Sequence, residues 1–299
     1  MIVTGIGQCS LDYLAVVDAY PRPNTKKEVL EWSQQGGGPV ATALVTLARL
    51  GIPGRFYGVV GDDDAGDKIE RSLVDEGIDA RLTRRRGSRS QVAFISVEKG
   101  SGTRTIFWKR PSGRELRKTE LDAGFLAGAD LLLLDGLMVE ASIHAAALAK
   151  DNGVPVMLDA GRLRPGMLKV AADCDYIVAS EEFARDLGWR LTQSELAKRR
   201  KEFGCRILTV TLGERGSVTA SDKGYLRVPA FPVETVDTTG AGDVFHGGFI
   251  YGLLMKWDIR DTVVFASAVA AMKCTKLGGR DGIPTVPEVR RFLRSAGSK

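Results

Sequence analysis

Short apolar runs that end in small or polar residues alternate along the chain with longer segments of helical period. The runs are "IVTGIG" (2–7), "RFYGVVG" (55–61), "LLLLDG" (131–136), "VPVMLDAG" (154–161), "YIVAS" (176–180) and "ILTVTLG" (207–213). Between them, segments 39–50, 64–76, 139–151 and 192–203 repeat apolar residues with the spacing of one helix face. "LLLLD" and "VPVMLD" do not alternate at all, which is expected of strands covered on both faces of a parallel sheet. The pattern predicts an α/β fold: a doubly wound, mostly parallel sheet with helices on both faces.

Two stretches break the alternation. Residues 27–35 and 90–108 read as extended, the second as a hairpin turning at "KGSG" with no helix between its strands. Such strands cannot join a parallel sheet through helical crossovers, so they predict a small separate antiparallel sheet, a lid formed by about 12–35 and 88–111 within a single domain of residues 1–299. Its apolar face needs a cover, either a substrate beneath or a second subunit in a homodimer. From Thr239 onward the period is helical near 241–255, 259–276 and 286–295.

Composition narrows the class. A chain of 299 residues with 44% hydrophobic and 26% charged residues suits one globular enzyme domain. The net charge of +5 comes from scattered clusters such as "RRRGSR" (84–89) and "KRRK" (198–201), which read as solvated faces and not as a nucleic-acid footprint. Cys9, Cys174, Cys205 and Cys274 stand far apart with only two histidines to join them, against both a disulfide framework and a zinc site. The N-terminal run lacks a basic lead, and no window approaches 18 uninterrupted apolar residues. The expectation is a cytoplasmic protein, neither exported nor membrane-bound.

The chemistry concentrates in "VDTTGAGDVFHGGF" (236–249). A helix starting near Ala241–Asp243 aims free backbone amides and its positive dipole end at the glycine turn, which attracts a phosphate or a developing oxyanion. Glycine at 240 and 242 permits close approach. A carboxylate at Asp243 would repel a resting phosphate but is well placed to take a proton from an attacking hydroxyl. A tight loop with a helix cap would use the same residue types. "GDDDAGDK" (61–68) has the count of a P-loop, yet it lacks the closing Ser or Thr and loads aspartates where phosphates would sit. "GIGQCS" has two of three dinucleotide glycines and reads as a strand-end turn.

"DTTGAGD" followed by "VFHGGF" resembles the second signature of the PfkB, or ribokinase-like, carbohydrate kinases. "GGGPVATALVTLARLG" (36–51) resembles their first, with "GVVGDDDAGD" (58–67) and "VTLGERGS" (210–217) in the expected order. The resemblance implies ATP-dependent phosphorylation of a sugar hydroxyl, with Asp243 as base, Gly240, Ala241 and Gly242 as the anion hole, and ATP with Mg2+ as donor. It places Asp12, Gly37, Gly38 and Thr42 on the sugar, with Thr42 standing where the family usually has asparagine. It assigns Ser180, Glu182, Thr211, Gly213, Gly216 and Gly242 to the nucleotide, although "ASEEF" replaces the asparagine of the family's Asn-x-x-Glu. Asp237 and Thr239 would hold a monovalent cation such as K+.

For the acceptor, "KCTKLGGRDGIP" resembles the sulfofructose kinase branch and "QVAFISVEKGSGTRTIFW" the ketohexokinase lid, which together imply a ketose or related sugar. Of the sulfonate-binding set only Lys26 matches, since Trp108 and Leu137 stand where that branch has asparagine and arginine, so sulfofructose is disfavoured. Trp108 and Lys109 in the lid are expected against the substrate. A nucleoside kinase and a non-catalytic sugar or nucleotide sensor are the rival readings.

Overall fold

The computed structural model describes residues 1–297. The chain opens with β1 (Val3–Ile6), β2 (Ser10–Val17) and β3 (Glu31–Gly37), then α1 (Pro39–Arg49), β4 (Gly54–Gly61), α2 (Asp64–Val74) and β5 (Asp79–Arg85). The hairpin β6 (Val92–Glu98) and β7 (Arg104–Lys109) follows, then β8 (Leu131–Leu134), α3 (Val139–Asp151), β9 (Val156–Ala160), α4 (Met167–Ala171), β10 (Tyr176–Ser180), α5 (Glu181–Asp186), α6 (Gln193–Phe203) and β11 (Ile207–Thr211). The hairpin β12 (Ser217–Ser221) and β13 (Gly224–Val228) leads into α7 (Ala241–Leu254), α8 (Ile259–Lys273) and α9 (Val286–Gly297).

The main sheet has nine strands in the order β13-β12-β11-β10-β9-β8-β1-β4-β5, parallel from β11 to β5, with β12 and β13 added antiparallel at one edge. β8 shows why its sequence does not alternate. Leu131 and Leu133 pack into one core with α1, α7 and α8, while Leu132 and Leu134 pack into a second core with α3 and α4 on the opposite face. Four consecutive side chains are thus withdrawn from water, each contributing about 1.5–3 kcal/mol.

Two sheet edges escape the apolar pattern. β5 carries Arg81, Arg84 and Arg85, which pair with Asp79, Asp67 and Glu120 at 2.7, 2.8 and 2.6 Å. A charged edge strand of this kind resists edge-to-edge pairing and hides its strand character among arginines. β12–β13 is short and half-polar. The acidic motif at 61–68 serves the fold. Asp63 caps α2 by accepting from Gly66 N at 3.0 Å and also accepts from Ser90 Oγ at 2.6 Å, tying the helix to the base of the lid.

The lid is a four-stranded sheet in the order β3-β2-β6-β7, with antiparallel flanking pairs around a parallel β2–β6 pair. Because strand side chains alternate between faces, the register fixes which residues look inward. Leu14, Val16, Ile95 and Val97 form a core with Leu277 on the inner face. Tyr13, Trp32, Phe94 and Phe107 share the outer face, where Tyr13 stacks on Phe94 at 5.2 Å and Phe107 is 65% exposed.

Candidate active site

Asp12 projects from the inner face of β2 and accepts from Ser10 Oγ at 2.7 Å. Burial pushes its pKa up, against the Ser10 hydrogen bond and the nearby Arg280 charge, which pull it down. Register pairs Asp12 with Gln35 and Ser10 with Gly37, so the end of β3 runs directly beside the carboxylate. A Cβ at Gly37 would lie 2.1 Å from Asp12 Oδ2. Gly38 adopts φ +99° as it turns into α1, where Pro39 occupies the first turn, and a Cβ there would strike Gln8 O at 2.2 Å.

Thr42 is buried in α1, and its hydroxyl lies 3.5 Å from Arg280 Nε. Arg280 also reaches Ser72 Oγ at 3.3 Å and Gly37 O at 3.4 Å. A buried guanidinium from the C-terminal segment therefore stands behind the glycine turn at the place where Thr42 leaves out an amide. Burial lowers its pKa to about 10, and Asp12 opposes that shift.

The turn before α7 forms as its glycines require. Gly240 is left-handed at φ +71° and precedes the first residue of α7, and a Cβ there would meet Gly279 Cα at 3.0 Å. A Cβ at Gly242 would meet nothing within 4 Å, so the space beside it is open. Asp243 follows in the same helical turn. Its pKa is raised well above the ordinary carboxylate range, first by burial and then by Asp159, while His246 and Arg104 counteract and Asp12 adds to the rise. Asp12 of the lid and Asp243 of α7 thus lie close enough to sense each other's charge.

A cleft of about 490 Å3 opens against this turn, lined among others by Thr211, Gly213, Gly216, Ala241, Gly242 and Ala271. The expected nucleotide residues Thr211, Gly213 and Gly216, at and after the end of β11, therefore share one cavity with Ala241 and Gly242 of the expected anion hole. Ser180 ends β10 beside Thr211 in register, but its hydroxyl caps α5 through Phe183 N at 3.0 Å and donates to Gly161 O at 2.5 Å. Glu182 is paired with Arg162 at 2.6 Å and does not line the cleft. Asp237 and Thr239 lie just before the turn, with Thr239 N and Oγ1 donating to Asp237 Oδ1 at 2.8 and 2.7 Å.

In the lid, Trp108 occupies the same cross-strand row as Asp12, with Ala93 between them. Lys109 turns to the other face and lines a separate hollow with Asp62, Asp64 and Arg89, so the structure does not bring it to Asp12.

Asp135, Asp159 and Arg104 are neighbours that the motifs do not contain, whereas His246 lies within "DVFHGG". Asp135 directly follows β8 and Asp159 is the penultimate residue of β9, both buried, with Asp135 pushed up to about 7 by burial. His246, one turn beyond Asp243, places Nδ1 2.6 Å from Gly242 O, and Nε2 3.2 Å from Val178 O and 3.4 Å from Asp159 Oδ1. Arg104 of β7 hydrogen-bonds Thr238 Oγ1, at the entrance to the anion turn. The available signal was position: ligands collect at the carboxyl ends of parallel strands, where both aspartates stand.

A buried carboxylate at the start of a helix, close to a second carboxylate and to an open cleft, has the chemistry a phosphotransferase with an alcohol acceptor uses. Comparison with known proteins agrees. The description "pfkB family carbohydrate kinase" matches residues 3–286, and the chain belongs to that family. It is 29% identical over 311 residues to the ribokinase of Haemophilus influenzae, covering 98% of this chain and 99% of that one. It is 27% identical to the 5-dehydro-2-deoxygluconokinase of Geobacillus kaustophilus, covering 96% and 94%. The crystal structure of ribokinase from Thermotoga maritima superposes with a TM-score of 0.80 at 28% identity, covering 98% and 99%. The fold is ribokinase-like, and the protein is an ATP-dependent sugar kinase.

Proposed function

We propose that a sugar lies between Asp12 and Asp243 beneath Trp108, with ATP in the cleft along Thr211, Gly213 and Gly216. The observation that supports this most is the joint placement of Gly242 at the mouth of that cleft and Asp243 one residue further on. Asp12 accepts two sugar hydroxyls and the Gly37–Gly38 backbone closes on the ring. Asp243 takes the proton from the attacking hydroxyl as it develops charge, and the amides of Ala241 to Asp243 receive the transferring phosphoryl oxygens. Magnesium, when bound, would neutralise phosphate charge and would be held largely by the nucleotide and water. Among the described residues no three metal-ligating side chains converge, and such a site needs none.

The acceptor we favour is a small ketose or a close relative. ADP release from ATP and magnesium, measured across ketoses, pentoses, keto-deoxy sugar acids, sugar phosphates and nucleosides, tests this with Asp243→Asn beside the wild type. Strongest turnover on a nucleoside, or an Asn variant as fast as wild type, would refute the reading.

The substrate is expected on the inner lid face with Asp12, which leaves Trp32, Phe94 and Phe107 outside and exposed by 59%, 52% and 65%. We assign that face to a second copy of this chain. Four free, buried cysteines fit a reducing, cytoplasmic setting, and no helix among the described residues is long and apolar enough to cross a membrane. The monovalent-cation role expected of Asp237 and Thr239 we give to the chain's own Lys273.

A further inference from the structure

Lys273 is the last residue of α8 and is 0% exposed. A lysine almost never loses all contact with water unless its charge is compensated. Its Nζ donates to Asp237 O at 2.8 Å, and the negative end of its own helix lies alongside. The Asp237 carboxylate is close enough to favour the charged form, against burial, which lowers the lysine's pKa.

The surrounding bonds show what this contact holds. Val236 N and Asp237 N both bond Cys274 O, at 2.8 and 3.2 Å. Asp237 Oδ1 accepts from Thr239 N and Oγ1, while Oδ2 accepts from Gly278 N at 2.8 Å. Three residues after Asp237 the chain enters Gly240, whose backbone is backed by Gly279. The segment that leads into the anion hole therefore hangs from the end of α8, and the ammonium fixes the carbonyl at its centre.

A single positive charge on a carbonyl oxygen, beside a carboxylate and under an anion-binding turn, is what a coordinated monovalent ion would supply. The residues do not suit a mobile ion as well. A cation bound to Asp237 O would lie against an ammonium that cannot leave, and like charges in a buried place are poorly screened. We propose that Lys273 is a tethered replacement for the monovalent cation, a positioning residue that holds the 237–240 turn and makes this kinase independent of potassium. The proposal rests on the kinase reading above.

The test compares potassium chloride with tetramethylammonium chloride at equal ionic strength. For the wild type, MgATP affinity by calorimetry, thermal midpoint, and turnover with the best acceptor of the panel should agree between the two salts within about twofold, with no shift in midpoint. Lys273→Met keeps much of the shape without the charge. It should lose roughly tenfold or more in MgATP affinity and turnover in tetramethylammonium, and potassium or ammonium should restore several-fold of that loss. A purely structural lysine would give no rescue selective for small cations.

Potassium tightening wild-type MgATP binding or raising its thermal midpoint overturns the proposal. So does a Met variant equal to wild type without potassium, or one that no small cation improves. The wild-type comparison decides the matter alone should the variant fail to fold. Failure of the kinase reading has a different signature, since no acceptor would then raise ADP release in either salt.

Discussion

Asp12 and Trp108 stand in one cross-strand row of the lid, joined through Ala93, and Trp108 retains 44% exposure on the face that overhangs the carboxylate. Lys109, the very next residue, points away from it. Trp108→Ala should therefore raise KM for the sugar about tenfold with a smaller effect on KM for ATP, whereas Lys109→Ala should leave both unchanged. Steady-state kinetics on the two variants checks this, and a sugar KM more sensitive to Lys109 than to Trp108 would contradict the lid geometry.

Asp243 must be ionised to accept a proton, and its pKa is raised by burial and by Asp159. Activity should consequently be lost on acidification at a higher pH than an ordinary aspartate would give, climbing through the weakly acidic range as the carboxylate deprotonates. A kcat/KM profile already flat from about pH 5 would show that the group is not raised or not the base. Asp243→Asn should lower kcat by about 10²–10⁴-fold and abolish this limb.

Arg104 reaches from the lid to Thr238 beside the anion turn, and its charge favours the ionised form of Asp243. Arg104→Ala should cost roughly ten- to a hundredfold in kcat/KM for ATP, and its acid limb should move to higher pH. The side chain is exposed, so the thermal midpoint should hold. Circular dichroism melts alongside kinetics separate the two effects.

Phe107→Glu places a charge on the outer lid face, opposite the sugar side. Sedimentation velocity should show a dimer for the wild type and a monomer for the variant, and a monomeric wild type at micromolar concentration would remove the second copy from the account. Leu133→Ala, by contrast, opens a cavity in the main core and should cost about 2–5 kcal/mol in denaturant unfolding.

The parallel sheet was legible because β8 to β11 are buried on both faces, and continuous apolar runs have few other uses. β5 was not, since its arginines satisfy partners on α2 and near Glu120 and carry no apolar period. The β12–β13 hairpin follows a glycine turn that reads as an ordinary loop end. In the site, Gly240–Asp243 announced itself because helix start, glycine and carboxylate coincide within four residues. Asp159 did not, because 87 positions separate it from His246 and only the fold brings the two to 3.4 Å. Glu182, which stands at an imperfect spacing in the motif region, pairs through its carboxylate with Arg162 and Arg185.

Gly36, Gly37 and Gly38 bear on what the gene can tolerate. A methyl group at Gly36 would press on Ser72 Oγ and Arg280 at 2.3 and 2.4 Å, one at Gly37 on Asp12, and one at Gly38 on the Gln8 backbone. A side chain at each of these three adjacent positions would thus meet a different wall, at Gly36 and Gly37 side chains that can shift and at Gly38 backbone that cannot. A saturation library selected for growth on the sugar should show a three-position blank there, and the order in which partial survivors reappear would rank those walls by how far each can yield.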